Sequence, residues 1–118
     1  MDRTAFNAHC TNLPATTCEA SFGPGHDVWK IGGKMFAIMG TKSEGITLKC
    51  ADPDTAAHLI DMGRAEVAPY LKRGGWIFVR DGTMEADELT QRLTTAYLTV
   101  RRALTKKAQA ELPPEPQG

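Results

Sequence analysis

The amino-acid sequence predicts an α+β fold in which an antiparallel sheet carries helices on one face, as two layers, in the order α-β-β-β-α-β-β-α. Three observations predict it. Residues 28–50 have the pattern of a hairpin followed by another strand, Asp52-Pro53-Asp54 is a strong helix start, and a long amphipathic pattern lies near the C-terminus. The alternating βαβα pattern of a doubly wound fold is missing. With 118 residues, 42% of them hydrophobic, the chain has the size and composition of a single domain.

The first predicted elements are a short helix and a strand. Asp2 is placed to cap the helix, and Phe6 and Cys10, four residues apart, share one side of it. Pro14 ends the helix, and the β-branched and aromatic residues within 16–22 predict a first strand. A Gly-Pro-Gly sequence then interrupts the chain before the next strand.

The central hairpin turns at Gly32-Gly33, because two glycines supply the positive φ that a two-residue turn needs. This turn predicts that Trp29 faces Phe36. A further strand follows at residues 46–50, where the alternation points Lys49 away from the core. The residues predicted to share the core face of the hairpin are Trp29, Ile31, Phe36 and Ile38.

The second half of the chain predicts a helix, two short strands and a long helix. Asp52 supplies the N-cap of the first helix, which runs to about Met62. Residues 66–70 predict a short strand or turn, and residues 76–79 predict an apolar strand. Thr83 is the predicted N-cap of the last helix. The apolar positions of that helix recur at steps of three and four, at Leu89, Leu93, Tyr97, Val100 and Leu104.

One domain is predicted over residues 1–107, followed by a disordered proline-rich tail at residues 108–118. The tail has three prolines and no large aromatic residue, so it cannot bury enough apolar surface to fix its conformation. No apolar run approaches the roughly 18 residues needed to cross a bilayer, and the N-terminus does not resemble a signal peptide. We therefore expect a cytoplasmic protein that makes no membrane contact.

No set of side chains has the spacing of a catalytic or metal-binding site. His9, His26 and His58 are scattered over separate elements, and the three cysteines form no CxxC pair. The cysteines predict reduced thiols that behave as small buried hydrophobic residues. We therefore expect a protein that is not an enzyme and that holds neither a metal nor a cofactor.

The distribution of basic residues invites a functional interpretation. The 14 basic and 14 acidic residues balance, which argues against binding of a polyanion by the whole surface. Residues 28–50 nevertheless carry four lysines against one glutamate, and residues 71–80 carry three basic residues and no acid. If these segments are neighbours, their loops form one basic surface with Trp76 beside it, suited to phosphate contacts and stacking. The alternative is that the lysines are ordinary solvated residues and that Trp76 belongs to the core.

The chain also resembles the MmcQ/YjbR family of small bacterial proteins, from Cys10 to about Lys107. The segments that carry the resemblance are CTNLPATTCEASFG, VWKIGGKMFA, LKCADPDTAAHL, VAPYLKRGGWIFV and LTTAYLTVRRALTKK. Ala15 stands where the family usually has glycine, and Ala96 stands where a serine usually precedes the tyrosine. The resemblance implies a CyaY-like or secretion-chaperone-like fold and DNA binding through a proposed "double wing".

The resemblance and the charge pattern together predict a non-enzymatic domain that contacts DNA phosphates through a basic hairpin surface. The residues expected there are Lys34, Lys49, Lys72, Arg73 and Trp76. The alternative is a chaperone- or adaptor-like protein-interaction module without nucleic-acid binding, suggested by the chaperone-like fold and the long amphipathic last helix. The candidate partners are therefore DNA or a protein, and the chain is expected to be a monomer or a homodimer.

Overall fold

The computed structural model describes residues 1–20, 23–69, 71 and 73–116. The helices are α1 (Arg3–Asn12), α2 (Pro53–Asp61), α3 (Ala86–Arg102) and α4 (Lys106–Ala110). The strands are β1 (Thr16–Glu19), β2 (Asp27–Ile31), β3 (Lys34–Met39), β4 (Gly45–Lys49), β5 (Glu66–Val67) and β6 (Trp76–Arg80). The predicted α+β fold class is confirmed. The observed order has one more strand ahead of α2 than the predicted order α-β-β-β-α-β-β-α, which leaves out the strand predicted within residues 16–22; that strand is present as β1 and pairs with β2 along its whole length.

Within the described residues the strands form one antiparallel sheet in the order β1-β2-β3-β4-β6-β5. The strands β4 and β6 are direct neighbours although α2 and β5 separate them along the chain. The helices cover one face of the sheet, and their apolar sides join the inward strand residues in one core. The largest fully buried side chains include Tyr97, Phe6, Phe36, Ile31, Met39, Ile46, Leu48 and Ile77.

The β2–β3 hairpin keeps the predicted turn but not the predicted register. Ile31 pairs with Lys34 as expected. A bulge between Trp29 and Lys30 then shifts the strand, so that Trp29 pairs with Ala37 rather than with Phe36. Ile38 is buried, but the prediction that it shares the helix-covered face with Trp29 and Phe36 is wrong, because the extra residue turns its side chain to the opposite face, where it is a neighbour of Thr47.

The helix starts follow the capping rules at two of the three longer helices. The carboxylate of Asp2 accepts a hydrogen bond from Ala5 N at 2.8 Å, and that of Asp52 accepts one from Thr55 N at 2.7 Å. Thr83 is not the cap of α3, contrary to the prediction. The helix begins at Ala86 with Glu85 at the N-cap, and the side chain of Glu85 makes no capping bond.

Polar side chains tie α1 to the sheet. The guanidinium of Arg3 donates to the Asp27 carboxylate at 2.6 Å, and the amide of Asn7 donates to the same carboxylate at 3.0 Å. The indole of Trp29 in turn donates to the side-chain oxygen of Asn7 at 2.9 Å. These hydrogen bonds, that from Asn7 first, hold the pKa of Asp27 below its ordinary value.

The turn between α1 and β1 carries backbone strain at Ala15. Its φ is +63°, in the left-handed region that favours glycine. This is the position at which the family resemblance leads one to expect glycine. The alanine therefore adopts the conformation that a glycine would adopt without steric cost.

The C-terminal residues fold back along α3. The Thr105 hydroxyl caps α4 by accepting from Ala108 N at 3.1 Å. Arg101, a buried charged residue, donates to the carbonyl of Pro113, and Arg102 donates twice to the Glu115 carboxylate. The domain boundary predicted at residue 107 falls inside α4. The disorder predicted for residues 108–118 stays a prediction, and residues 117 and 118 lie outside the described residues.

Candidate functional site

A groove lies at the end of the sheet where the β2–β3 turn, the end of β4 and the start of β6 meet the C-terminal end of α3. Its volume is about 610 Å³, within the range of ligand-binding clefts. We call it the lysine groove, and its defining side chains are Lys34, Met35, Lys49, Trp76, Leu104 and Ala108. None of the described residues that line it carries a carboxylate. The groove is therefore apolar at its walls and positively charged.

The pairing of β4 with β6 places Lys49 beside Trp76. The two residues are direct register partners at the end of β4 and the start of β6. The ammonium of Lys49 lies 5.5 Å from the centroid of the Trp76 ring, within the range of a cation–π contact. Both side chains are half-buried, so Trp76 is neither a core residue nor fully exposed. Their mutual contact orients both groups at the groove.

The opposite wall of the groove depends on the glycine turn. A Cβ atom placed on Gly32 would lie 2.6 Å from Cδ1 of Leu104, so a larger residue here would displace the Leu104 side chain from its observed position. Gly32 also has a φ of +58°, which suits a type I′ turn. Behind this wall, the amide of Gln109 donates to the carbonyl oxygens of Arg102 and Leu104 at 3.2 and 2.8 Å. These bonds satisfy carbonyl groups at the negative end of α3.

Several cations that the sequence placed near this surface are neutralised by ion pairs. Lys30 pairs with Glu19 at 2.7 Å, and Arg80 forms two hydrogen bonds with Glu66 at 2.7 and 2.9 Å. The bond from Arg80 lowers the pKa of Glu66, which therefore stays ionised. The local excess of positive charge is thus smaller than a count along the chain indicates. Within the described residues Lys34 makes no ion pair, and neither does Lys49.

The arginines of α3 do not extend the basic surface, because they have partners within the protein. Arg92 pairs with Glu88 at 3.2 Å. The guanidinium of Arg101 donates to the hydroxyl of Tyr97 at 2.7 Å, and Arg102 pairs with Glu115 at 2.7 Å. The charges of α3 therefore serve the fold rather than the groove.

The structure brings together three of the five predicted site residues. Lys34 is exposed and lines the lysine groove with Lys49 and Trp76. Arg73 is exposed but does not line the groove. Lys72 lies outside the described residues, so its position stays a prediction.

The groove walls contributed by the C-terminal end of the chain were missed by sequence reasoning. Leu104 was predicted as an apolar position of the last helix, whereas Ala108 fell in the predicted tail. The signal for α4 was present, since Thr105 precedes the run of helix-forming residues KKAQAEL. The threonine cap observed at Ala108 N confirms that this signal was informative.

Outside the lysine groove, the described residues form a second cavity but no candidate metal site. A second cavity of about 640 Å³ lies on the sheet face opposite the helices, between Ile38, Leu71 and Phe78. In the described part of the chain, no three His, Cys, Asp or Glu side chains cluster in a way that could hold a metal ion. No described helix is long and apolar enough to cross a bilayer.

The cysteines are free thiols, but only two of them are buried. Burial raises the pKa of the Cys10 and Cys50 thiols. Cys18 is exposed, contrary to the prediction of a buried residue, because it lies on the edge strand β1. Its pKa is also raised, by desolvation first and then by the charge of Asp27. None of the three is therefore an activated thiolate at neutral pH.

Comparison with known proteins identifies the family. The family model described as YjbR matches residues 11–99, which is more than half of the chain. The crystal structure of Deinococcus radiodurans protein DR2400, with the family-model domain DUF419, is similar with a TM-score of 0.84 and 26% sequence identity. That similarity covers 96% of this chain and 90% of that chain. No curated protein is significantly similar to the chain. The length and position of the family match show that the chain belongs to the YjbR family.

Proposed function

We propose that this protein is a non-enzymatic domain that binds nucleic acid at the lysine groove. The observation that carries the proposal is the placement of Lys34, Lys49 and the half-buried ring of Trp76 around one apolar groove without a lining carboxylate. Lysines without ion-pair partners contact phosphates favourably, because binding releases the counterions condensed on the nucleic acid. The DNA-binding activity that the family resemblance implies supports the same assignment.

The proposed contacts have different roles. Lys34 and Lys49 bind phosphate oxygens beside the groove, and Arg73, which is exposed ahead of β6, adds a further phosphate contact. Lys72 is proposed to act with Arg73, as its neighbour in the sequence. Contacts to phosphates alone carry no sequence information, so this part of the surface predicts affinity without base preference.

The test is fluorescence anisotropy of a labelled DNA duplex titrated with the protein at several salt concentrations. Three to four phosphate contacts predict a slope of log affinity against log salt of about −3 to −4. The Lys34→Ala/Lys49→Ala variant should weaken binding and flatten the slope by about one for each lysine removed. Lys42→Ala is the matched control, because Lys42 is an exposed lysine in the β3–β4 loop at the other end of the sheet. An equal loss in the control would overturn the assignment of the groove.

The alternative function is a protein-interaction module. Most side chains that line the lysine groove are apolar, and an apolar groove also suits an amphipathic peptide. The two functions differ in their salt dependence and in their partner. Absence of DNA binding at low salt, together with a stoichiometric protein partner that survives nuclease treatment and is lost in the Leu104→Glu variant, would favour the alternative.

A further inference from the structure

The walls of the lysine groove offer more than phosphate contacts require. Phosphate binding needs only the two ammonium groups, yet the groove also presents Met35, Leu104 and the ring of Trp76. A duplex whose backbone touched the lysines would leave these apolar surfaces in water, because its bases are stacked and paired inside the helix. The apolar walls therefore point to a ligand that brings an exposed flat apolar group together with its phosphates.

The ring of Trp76 has close neighbours on β4 and on the loop that precedes β6. Lys49 lies 5.5 Å from its centroid. On the preceding loop, Gly74 adopts a φ of +83°, and a Cβ atom placed there would be 3.3 Å from Nζ of Lys49 and 3.8 Å from the indole nitrogen. The glycine thus lets the loop lie close to both side chains. A ring oriented in advance binds a stacked partner at a lower entropic cost than a mobile ring.

These observations lead to one ligand class, and the inference rests on the proposed function of the groove. We infer that the lysine groove binds unpaired nucleotides of single-stranded nucleic acid. A base enters between Trp76 and the wall formed by Leu104, and Lys34 and Lys49 bind the phosphates on either side of it. Aromatic stacking of this kind accepts any base, so the inference predicts a preference for single strands over duplexes with little base preference.

The experiment compares labelled oligothymidylate, oligouridylate and a DNA duplex of the same length, by anisotropy at one salt concentration. The inference predicts at least about tenfold tighter binding of the single strands than of the duplex. The two single strands distinguish DNA from RNA as the source of the nucleotide. Binding of oligothymidylate should also quench the fluorescence of Trp76 but not that of the buried Trp29.

Two variants separate the base from the phosphates. Trp76→Leu should lose most of the single-strand preference and the quenching, while its affinity for the duplex stays within about twofold. Ala108→Glu places a carboxylate in the groove wall without changing Trp76 and should weaken the binding of single strand and duplex alike, because the carboxylate repels phosphates bound at the groove. Lys42→Ala should leave both affinities unchanged.

The failure of the inference can be distinguished from the failure of the proposed function. Equal affinity for duplex and single strand, with no quenching, would overturn the inference and leave the phosphate contacts intact. Single-strand binding that both groove variants retain would also overturn it. No binding of any nucleic acid at low salt would overturn both.

Discussion

Replacing Tyr97 with phenylalanine removes one hydroxyl that links three parts of the fold. The hydroxyl donates to the carbonyl of Pro14 at 2.6 Å and accepts from the guanidinium of Arg101 at 2.7 Å. Arg101 in turn donates to the carbonyl of Pro113, beyond α4, which forms one wall of the lysine groove. The substitution keeps the ring and its edge-to-face contact with Phe36, at 5.6 Å between centroids, so it leaves no large cavity.

The magnitude follows from the two groups that lose their partner. Tyr97 is 0% exposed and Arg101 is 5% exposed, so water does not readily replace the hydroxyl. An unsatisfied buried hydrogen-bonding group costs about 1–3 kcal/mol. Because Arg101 keeps its bond to Pro113, we expect the free energy of unfolding to fall by about 2–4 kcal/mol in total. The thermal midpoint should fall by roughly 10 °C.

Urea denaturation followed by circular dichroism measures this loss, with an unchanged m-value as the sign of an intact two-state transition. Thr99→Val is the matched control, because it removes a more exposed hydroxyl of α3 that bonds only to the carbonyl of Thr95. A loss below about 0.5 kcal/mol in Tyr97→Phe, equal to that of the control, would refute the reasoning. So would strict additivity of Tyr97→Phe and Arg101→Met, because contacting residues should couple by 0.5 kcal/mol or more.

Three further predictions concern the scaffold. Ala15→Gly should raise the free energy of unfolding by up to about 1 kcal/mol, and with it the urea midpoint, because glycine adopts the observed φ of +63° without strain. A lower midpoint would contradict this. Gly45→Ala should lower the free energy of unfolding by about 2–3 kcal/mol in the same assay, since its Cβ atom would lie 2.4 Å from the backbone oxygen of Val79. An unchanged free energy would contradict this and would mean that β4 shifts to accommodate the methyl group. Hydrogen bonds from Asn7 and Arg3 lower the pKa of Asp27 in the folded state, so the stability that Asp27 contributes is present above about pH 4 and is lost as the pH falls through the folded-state pKa. The Asp27→Asn variant should therefore be less stable than the unmodified protein at pH 7 and should lose less stability on acidification. Parallel pH profiles of stability for the two proteins would refute this assignment.

Local chemistry made part of this fold predictable. The carboxylates of Asp2 and Asp52 cap helices as their positions indicated, and Gly32-Gly33 forms the expected turn. Each of these features depends on residues within four positions of one another. The predicted hairpin register holds for the first two pairs beside the turn and fails at the third, because the bulge beside Trp29 has no glycine or other local signal in the sequence.

The candidate site depends on contacts that sequence spacing does not contain. Lys49 and Trp76 are 27 positions apart (76 − 49), and only the β4–β6 pairing makes them neighbours. The count of charges indicated that residues 28–50 and 71–80 would form a basic surface if they were neighbours, but it could not show that they are neighbours. The ion pairs of Lys30 and Arg80, which reduce the basic surface, likewise join separate elements. The contribution of Ala108 to the groove was not predicted, because the proline content of residues 108–118 led to their assignment as a disordered tail.

Nucleic-acid binding at the lysine groove is tested most directly by NMR. The signals of the two tryptophan side chains are followed while the protein is titrated with a short DNA, first as a duplex and then as a single strand. In a ¹H–¹⁵N correlation spectrum each indole N–H gives its own signal, and the chain has two tryptophans. The indole of Trp29 donates to Asn7, away from the lysine groove, and serves as an internal control. Nucleic-acid binding at the groove predicts that the Trp76 indole and the backbone signals of Lys34 and Lys49 shift while the Trp29 indole stays in place. Unchanged Trp76 and lysine signals with both DNAs, or shifts confined to the opposite end of the sheet around Lys42, would contradict it.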